Sequence, residues 1–242
     1  MSEDTVTLIN TQDLTVSINK KNLIEHISFA VKKGTVTGLV GENGAGKSTL
    51  MKAILDFNTV SSGSIQLGAY PHHHKHARRI LAYLPEHFSP PQFLNGQEYL
   101  DYCAKLYGIA YPSRQTLSDQ LGLPEAAFTR PVKALSKGMT QKLGLLAVLN
   151  SQRPLLLLDE PMSGLDPRAR YLLRCALSAL KESKNTTILF TTHMLNDIQE
   201  LADTMLLMHQ GSLRYAGSPA ELLQQTKSQS LEEAFLKKIA FK

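Results

Sequence analysis

Thr35-Val36-Thr37-Gly38-Leu39-Val40 runs directly into Gly41-Glu42-Asn43-Gly44-Ala45-Gly46-Lys47-Ser48-Thr49. A continuous apolar run of this length suits a strand buried on both faces. The loop after it fits G-x-x-x-x-G-K-[ST], and a helix is predicted over 48–55. Each residue type has a physical reason. The glycines let the backbone curl so that successive N–H groups converge on phosphate oxygens. Lys47 brings a point charge to the β- and γ-phosphates, Ser48 offers a hydroxyl to Mg²⁺, and the helix aims its positive end at the anion.

Working outward, the preceding third reads as strands over 5–9, 15–18 and 27–31, with a further one at 65–67 after the turn dipeptide Ser62-Gly63. From about 89 to 150 helical spacing takes over. Tyr99, Cys103 and Leu106 form one stripe, and Leu143, Leu146 and Leu149 another. Pro112, Pro124 and Pro131 divide this helical subdomain into short helices. Two more apolar runs, 155–158 and 187–190, flank a helix predicted over 169–180. Strands alternating with helices imply a mostly parallel sheet. Short C-terminal helices are expected over about 219–240, the first capped by Ser218, Pro219 and Glu221 and the second by Ser230 and Glu233.

A second polar cluster ends the run Leu155-Leu156-Leu157-Leu158, which delivers Asp159 and Glu160 to the carboxyl end of a buried strand. Ligands of open α/β sheets bind there. Asp159 suits Mg²⁺ and Glu160 suits the proton of an attacking water.

Composition narrows the class. At 242 residues the chain is long enough for one large domain with its own core. The net charge of +5 is dispersed and does not mark a nucleic-acid protein. No apolar run reaches the roughly 18 residues that would span a bilayer. Met1-Ser2-Glu3-Asp4 lacks the basic start and apolar stretch of a secretory signal. Two cysteines, Cys103 and Cys175, cannot staple a domain of this size, so a reducing compartment is expected. Service to a membrane would then come from the cytoplasmic side, through a partner. His72-His73-His74-Lys75-His76 reads as a solvated loop, because adjacent histidines rarely converge on one ion.

With Gly41–Thr49, Asp159-Glu160, Leu135-Ser136-Lys137-Gly138-Met139, Ser163-Gly164-Leu165-Asp166 and His193 in this order, the chain resembles an ATP-binding subunit of the ABC transporters. The Leu-Ser-x-Gly element discriminates, since other phosphate-loop ATPases lack it. The resemblance implies a single nucleotide-binding domain over 1–242. Its fold would be α/β, a P-loop NTPase with a mostly parallel sheet, an antiparallel β subdomain and an inserted helical subdomain.

The implied activity is Mg²⁺-dependent ATP hydrolysis powering a membrane transporter from its cytoplasmic face. Two subunits would meet head to tail, as a homodimer, with two ATP molecules between them. Gly41 to Thr49 would bind one ATP, and Ser136 and Gly138 would address the γ-phosphate of the other subunit's nucleotide. Lys47, Glu160 and His193 form the implied catalytic set, with Ser48, Asp159 and Glu86 facing the metal. His193 matches the family's switch histidine, and Ser163 to Asp166 its interface loop. The implied partners are integral-membrane subunits and a second ATP-binding subunit, with no nucleic acid.

Four positions depart from the family pattern. Ile18 lies near the place of an adenine-stacking aromatic, Glu86 stands for glutamine, Lys137 for glycine and Met139 for glutamine. The Leu-Ser-Lys-Gly-Met and Leu-Pro-Glu variants look like the ABC-2 type branch, often exporters. Phe88, Phe93, Tyr99, Tyr102 and Tyr107 gather just after Glu86, where the family receives its membrane partner. Phe88 and Phe93, flanking Pro90-Pro91, are expected to point outward there.

Three other readings meet the same residues less well. ABC ATPases of translation carry two ATP domains and those of DNA repair a long coiled coil. A kinase leaves Leu135 to Met139 unexplained. An ATP-gated assembly protein that moves no solute has no distinguishing mark in sequence.

Overall fold

The computed structural model describes residues 6–183 and 185–240. It opens with two long antiparallel strands, β1 (Thr7–Ile18) and β2 (Lys21–Lys32). Where the sequence suggests two strands over 5–9 and 15–18, β1 is one strand, and Thr5 lies outside the described residues. Asp13, at φ 48°, shifts the register midway and accounts for the polar interruption. β3 (Val36–Val40) follows, then the glycine-rich loop and α1 (Lys47–Ile54). β4 (Ser62–Leu67) takes in the expected turn dipeptide, and with the short β5 (Tyr70–Pro71) it completes a four-stranded sheet ordered β2-β1-β4-β5.

The histidine run is only partly solvated. His72 is buried beside Asp56, and burial pushes its imidazole pKa down. His74 stacks on Tyr70 and caps α2 (Lys75–Arg79).

After β6 (Leu81–Leu84) come α3 (Gly96–Tyr107), α4 (Arg114–Leu121), α5 (Ala126–Thr129), a 3₁₀ turn at Val132–Ala134, and α6 (Lys137–Leu149). Every residue of α6 from Gln141 to Leu149 is buried, since it packs against α3, α4 and β6. On α3, Tyr99 and Cys103 are buried, but Leu106 departs from the expected stripe and is 65% exposed.

β7 (Leu155–Leu158), α7 (Pro167–Glu182), β8 (Thr187–Thr192), α8 (Leu195–Leu201), β9 (Thr204–His209) and β10 (Ser212–Gly217) complete the second sheet. Its order is β10-β9-β3-β8-β7-β6, parallel except for the β9–β10 pair. The chain ends in α9 (Pro219–Thr226) and α10 (Leu231–Ala240). α9 carries the full expected capping box. Before α10, Ser230 accepts the Glu233 N–H, but the Glu233 carboxylate takes the N–H of Gln229 instead.

The tetraleucine of β7 shows how the layers hold together. Leu156 and Leu158 enter one core with the helices, while Leu155 and Leu157 enter the other with α1 and the antiparallel sheet. Successive strand residues point to opposite faces, so a strand between two cores must be apolar throughout. Burial of each leucine contributes about 1.5–3 kcal/mol. No helix among the described residues is long and apolar enough to cross a membrane.

Candidate active site

The parallel register brings the carboxyl ends of β3, β8, β7 and β6 side by side, with Val40 opposite Thr192, Phe190 opposite Leu158, and Leu158 opposite Leu84. Each strand hands over a polar residue there: the glycine-rich loop after β3, His193 after β8, Asp159 and Glu160 after β7, and Glu86 after β6. A cleft of about 440 Å³ is lined by Asn43 to Thr49, Glu86, Asp159, Glu160 and His193, joined by Leu23 and Ser163.

The loop closes on α1 through Gly46, whose φ of 106° is one that side chains rarely adopt, and a Cβ there would meet Ile24 at 2.6 Å. Gly46 caps α1 without a side-chain oxygen, so the first N–H groups of the helix stay available to an anion. Lys47 is buried and folds back over the loop, its Nζ donating to the carbonyls of Gly41 at 2.7 Å and Glu42 at 3.2 Å. Gly41 is buried behind the loop and Glu42 is exposed on its rim.

The two acids are held differently. Asp159 Oδ1 accepts the Thr191 hydroxyl at 2.6 Å, and burial pushes its carboxyl pKa up, with Glu86 adding to the effect. The Thr191 oxygen in turn accepts the Glu160 N–H at 2.8 Å. Glu160 sits at φ 48°, a left-handed backbone that costs a non-glycine residue about 1 kcal/mol or more. That turn brings its carboxylate 3.0 Å from Nδ1 of His193. A single threonine thus fixes both neighbours, and the exposed His193 fixes the second acid from outside.

Ser136 and Gly138 do not line this cleft. Ser136 caps α6, accepting the Met139 N–H at 3.2 Å, and a Cβ on Gly138 would meet the Gly164 carbonyl at 3.1 Å. Asp166 caps α7 through the Ala169 N–H and pairs with Lys142 of α6 at 3.1 Å. The start of α6 and the Ser163 to Asp166 loop therefore form one surface.

Ile18 ends β1 outside the lining of the cleft, and Leu23 of β2 joins that lining, a residue with no sequence signal of its own. One expectation is corrected. Phe88 does not point outward: its ring lies edge-on to Tyr99 with centroids 5.7 Å apart, and a Cβ on Gly144 would press into it at 2.7 Å. Phe93 is 81% exposed, as expected.

Comparison with known proteins agrees in sequence and fold. The family model of the ABC transporters matches residues 24–163. An ABC transporter ATP-binding protein of Synechocystis is 36% identical over 84% of this chain. The chain spans only 59% of that relative, and 60% of a similar one from Nostoc. The lantibiotic transport ATP-binding protein SrtF of Streptococcus pyogenes is 31% identical over 97% of this chain and 98% of its own length. A solved structure of the ATP binding subunit of an ABC transporter superposes with a TM-score of 0.87 at 29% identity, covering 96% of this chain and 99% of the other.

Proposed function

The chain belongs to the ABC transporter family of ATP-binding proteins, and on that premise we propose that it hydrolyses ATP to power export through integral-membrane subunits. It works as a homodimer on the cytoplasmic face of the membrane, with no nucleic-acid partner. The observation that carries the proposal is the Glu160–His193 pair at 3.0 Å, set in the same cleft as the glycine-rich loop.

The residues divide the work. The loop N–H groups and the start of α1 bind phosphate oxygens, which replace the carbonyls that Lys47 now holds. Glu160, fixed by Thr191 and His193, accepts the proton of the attacking water. Asp159 is buried and makes no salt bridge among the described residues, which suits a cation, so with the Ser48 hydroxyl and Glu86 it presents a hard oxygen set that fits Mg²⁺. Mg²⁺ held there would supply positive charge against the phosphate groups of the nucleotide. Leu23 offers an apolar surface to the base.

The place of Ser136 and Gly138 outside their own cleft supports a head-to-tail dimer, in which each would reach the partner's nucleotide. The lantibiotic-transport relative supports an exporter, as does the signature variant.

The test is Glu160→Gln. Turnover should fall by about 10²–10⁴-fold, the usual worth of a general base, while ATP binding is retained. Wild-type turnover in that variant would remove Glu160 from the mechanism.

A further inference from the structure

Two ends of the nucleotide cleft belong to different sheets. Leu23 sits on β2 of the antiparallel sheet, whereas the phosphate loop follows β3 of the parallel one. Between them lies the hairpin of β9 and β10, closed by the two-residue turn Gln210-Gly211. Its φ angles of 47° and 77° are both positive, as a type I′ turn requires.

Gly211 is buried and bonds to both ends of the cleft. Its N–H donates to the Ala45 carbonyl of the phosphate loop at 3.0 Å, and its own carbonyl accepts the Glu25 N–H of β2 at 2.9 Å. The Glu25 N–H is free to do this because the β1–β2 register passes from Ile24 to Ile27. The same hairpin backs the loop elsewhere. The Met208 carbonyl stands where a Cβ on Gly41 would fall, and His209 Nδ1 lies 3.6 Å from the Glu42 carboxylate.

Turn chemistry alone does not account for this glycine. A type I′ turn accepts asparagine or aspartate, and Gln210 carries a side chain at positive φ in the same turn. At 211 a Cβ would meet the Leu23 carbonyl oxygen at 2.6 Å and its carbon at 3.3 Å, backbone atoms that cannot swing aside. Glycine is what lets β2 approach the hairpin so closely. Lys47 also holds the loop, through the carbonyls of Gly41 and Glu42, but the proposed mechanism gives those bonds up to phosphate. The Gly211 bonds do not involve Lys47 and are untouched by that exchange.

We infer that Gly211 is a positioning residue for the nucleotide, fixing the span between the Leu23 side of the cleft and the phosphate loop. The inference rests on the ATP reading above and adds what sets the distance between the two ends of the site. A fixed span favours a ligand that has both ends, a nucleoside triphosphate, over a bare polyphosphate chain.

The test compares ATP with inorganic tripolyphosphate, each with Mg²⁺, by titration calorimetry on the full chain carrying Glu160→Gln to stop turnover. Gly211→Asn is the probe, because asparagine tolerates positive φ and so isolates the Cβ contact with Leu23. It should weaken ATP about tenfold, the worth of one apolar side-chain contact, and leave tripolyphosphate unchanged. Leu23→Ala should cause the same loss, and the double variant no further loss, since both act on one end of the site. A merely structural role for Gly211 would weaken both ligands together, and that result overturns the inference.

A second measurement leaves Gly211 in place and decides the matter if Gly211→Asn does not fold. In the Glu160→Gln protein, amide hydrogen exchange at Glu25 and Gly211 should be slower with ATP than with tripolyphosphate. Equal protection by the two ligands overturns the inference and leaves the phosphate-loop reading standing. Failure to bind either ligand overturns the ATP reading itself, and the inference with it.

Discussion

At the carboxyl ends of β3, β7 and β8, Lys47, Asp159 and Glu160 each already have a partner in the chain. Around the start of α6, the lysines at 133 and 137 and the Gln141 amide have none among the described residues. The first region is preorganised by neighbouring strands of one sheet, whose parallel register fixes the distances between its groups. The second sits where a helix emerges from the core, with Phe93 bare beside it and no strand to hold it. The groups of the cleft are held in place by the sheet, whereas those around the start of α6 are left without protein partners among the described residues.

The sharpest way to break this contrast is Lys47→Ala. Removing the cation from the phosphate loop should reduce turnover on the order of 10³-fold and weaken ATP binding with it, both measured on purified protein. Near wild-type values would mean the loop is not the nucleotide cradle.

Next in size is the division between Phe88 and Phe93. Phe88→Ala should lower stability by about 2–4 kcal/mol, as deletion of a packed aromatic does, and the urea midpoint should fall. Phe93→Ala should stay within about 0.5 kcal/mol of wild type. Equal midpoints for the two variants would contradict the inward placement of Phe88 against Gly144.

Smaller again is the effect of Ser136→Asp in the Glu160→Gln background. Aspartate caps a helix as well as serine does, but it opposes a phosphate. Light scattering with saturating ATP should show the Glu160→Gln protein dimeric and the double variant about tenfold weaker, roughly 1.4 kcal/mol. A monomeric Glu160→Gln protein would count against the head-to-tail dimer.

The smallest effect is at Asp166, whose carboxyl is held below the ordinary range by the Ala169 N–H and by Lys142. A depressed pKa stabilises the fold above the unfolded value of 3.8, and that contribution is lost as pH falls through the lower folded value. Asp166→Asn keeps a cap but loses the charge, so its slightly lower Tm at neutral pH should converge with wild type in acid. A constant difference across pH would show that the charge contributes nothing.

The nucleotide cleft is more legible in the sequence than the helical insert, for a physical reason. The phosphate loop is set by eight consecutive residues, so its conformation is a local property that glycine and lysine spacing reveals. Asp159 and Glu160 announce themselves because the leucines before them are apolar on both faces, and a strand of that kind must end at an edge of the core. Thr191 left no such mark. It looks like one more β-branched strand residue, and only the β7–β8 register gives its hydroxyl to Asp159 and Glu160. Leu106 fits the helical stripe in sequence, yet it is exposed because the core covers a narrower band of α3 than periodicity suggests.

By itself the sequence determined the alternation of strands and helices, the phosphate loop, the paired acids and the caps of α9, because each depends on residues a few positions apart. Tertiary structure alone decided that Leu23 rather than Ile18 walls the cleft, and that Phe88 turns in while Phe93 turns out. It also decided that the Gln141 Nε2 is buried without a hydrogen-bond partner among the described residues. Those outcomes hinge on contacts between segments far apart in the chain, such as Phe88 against Gly144, and nothing in either segment records the approach of the other. Local patterns fix what a segment can become, and packing between segments fixes which of its faces meets water.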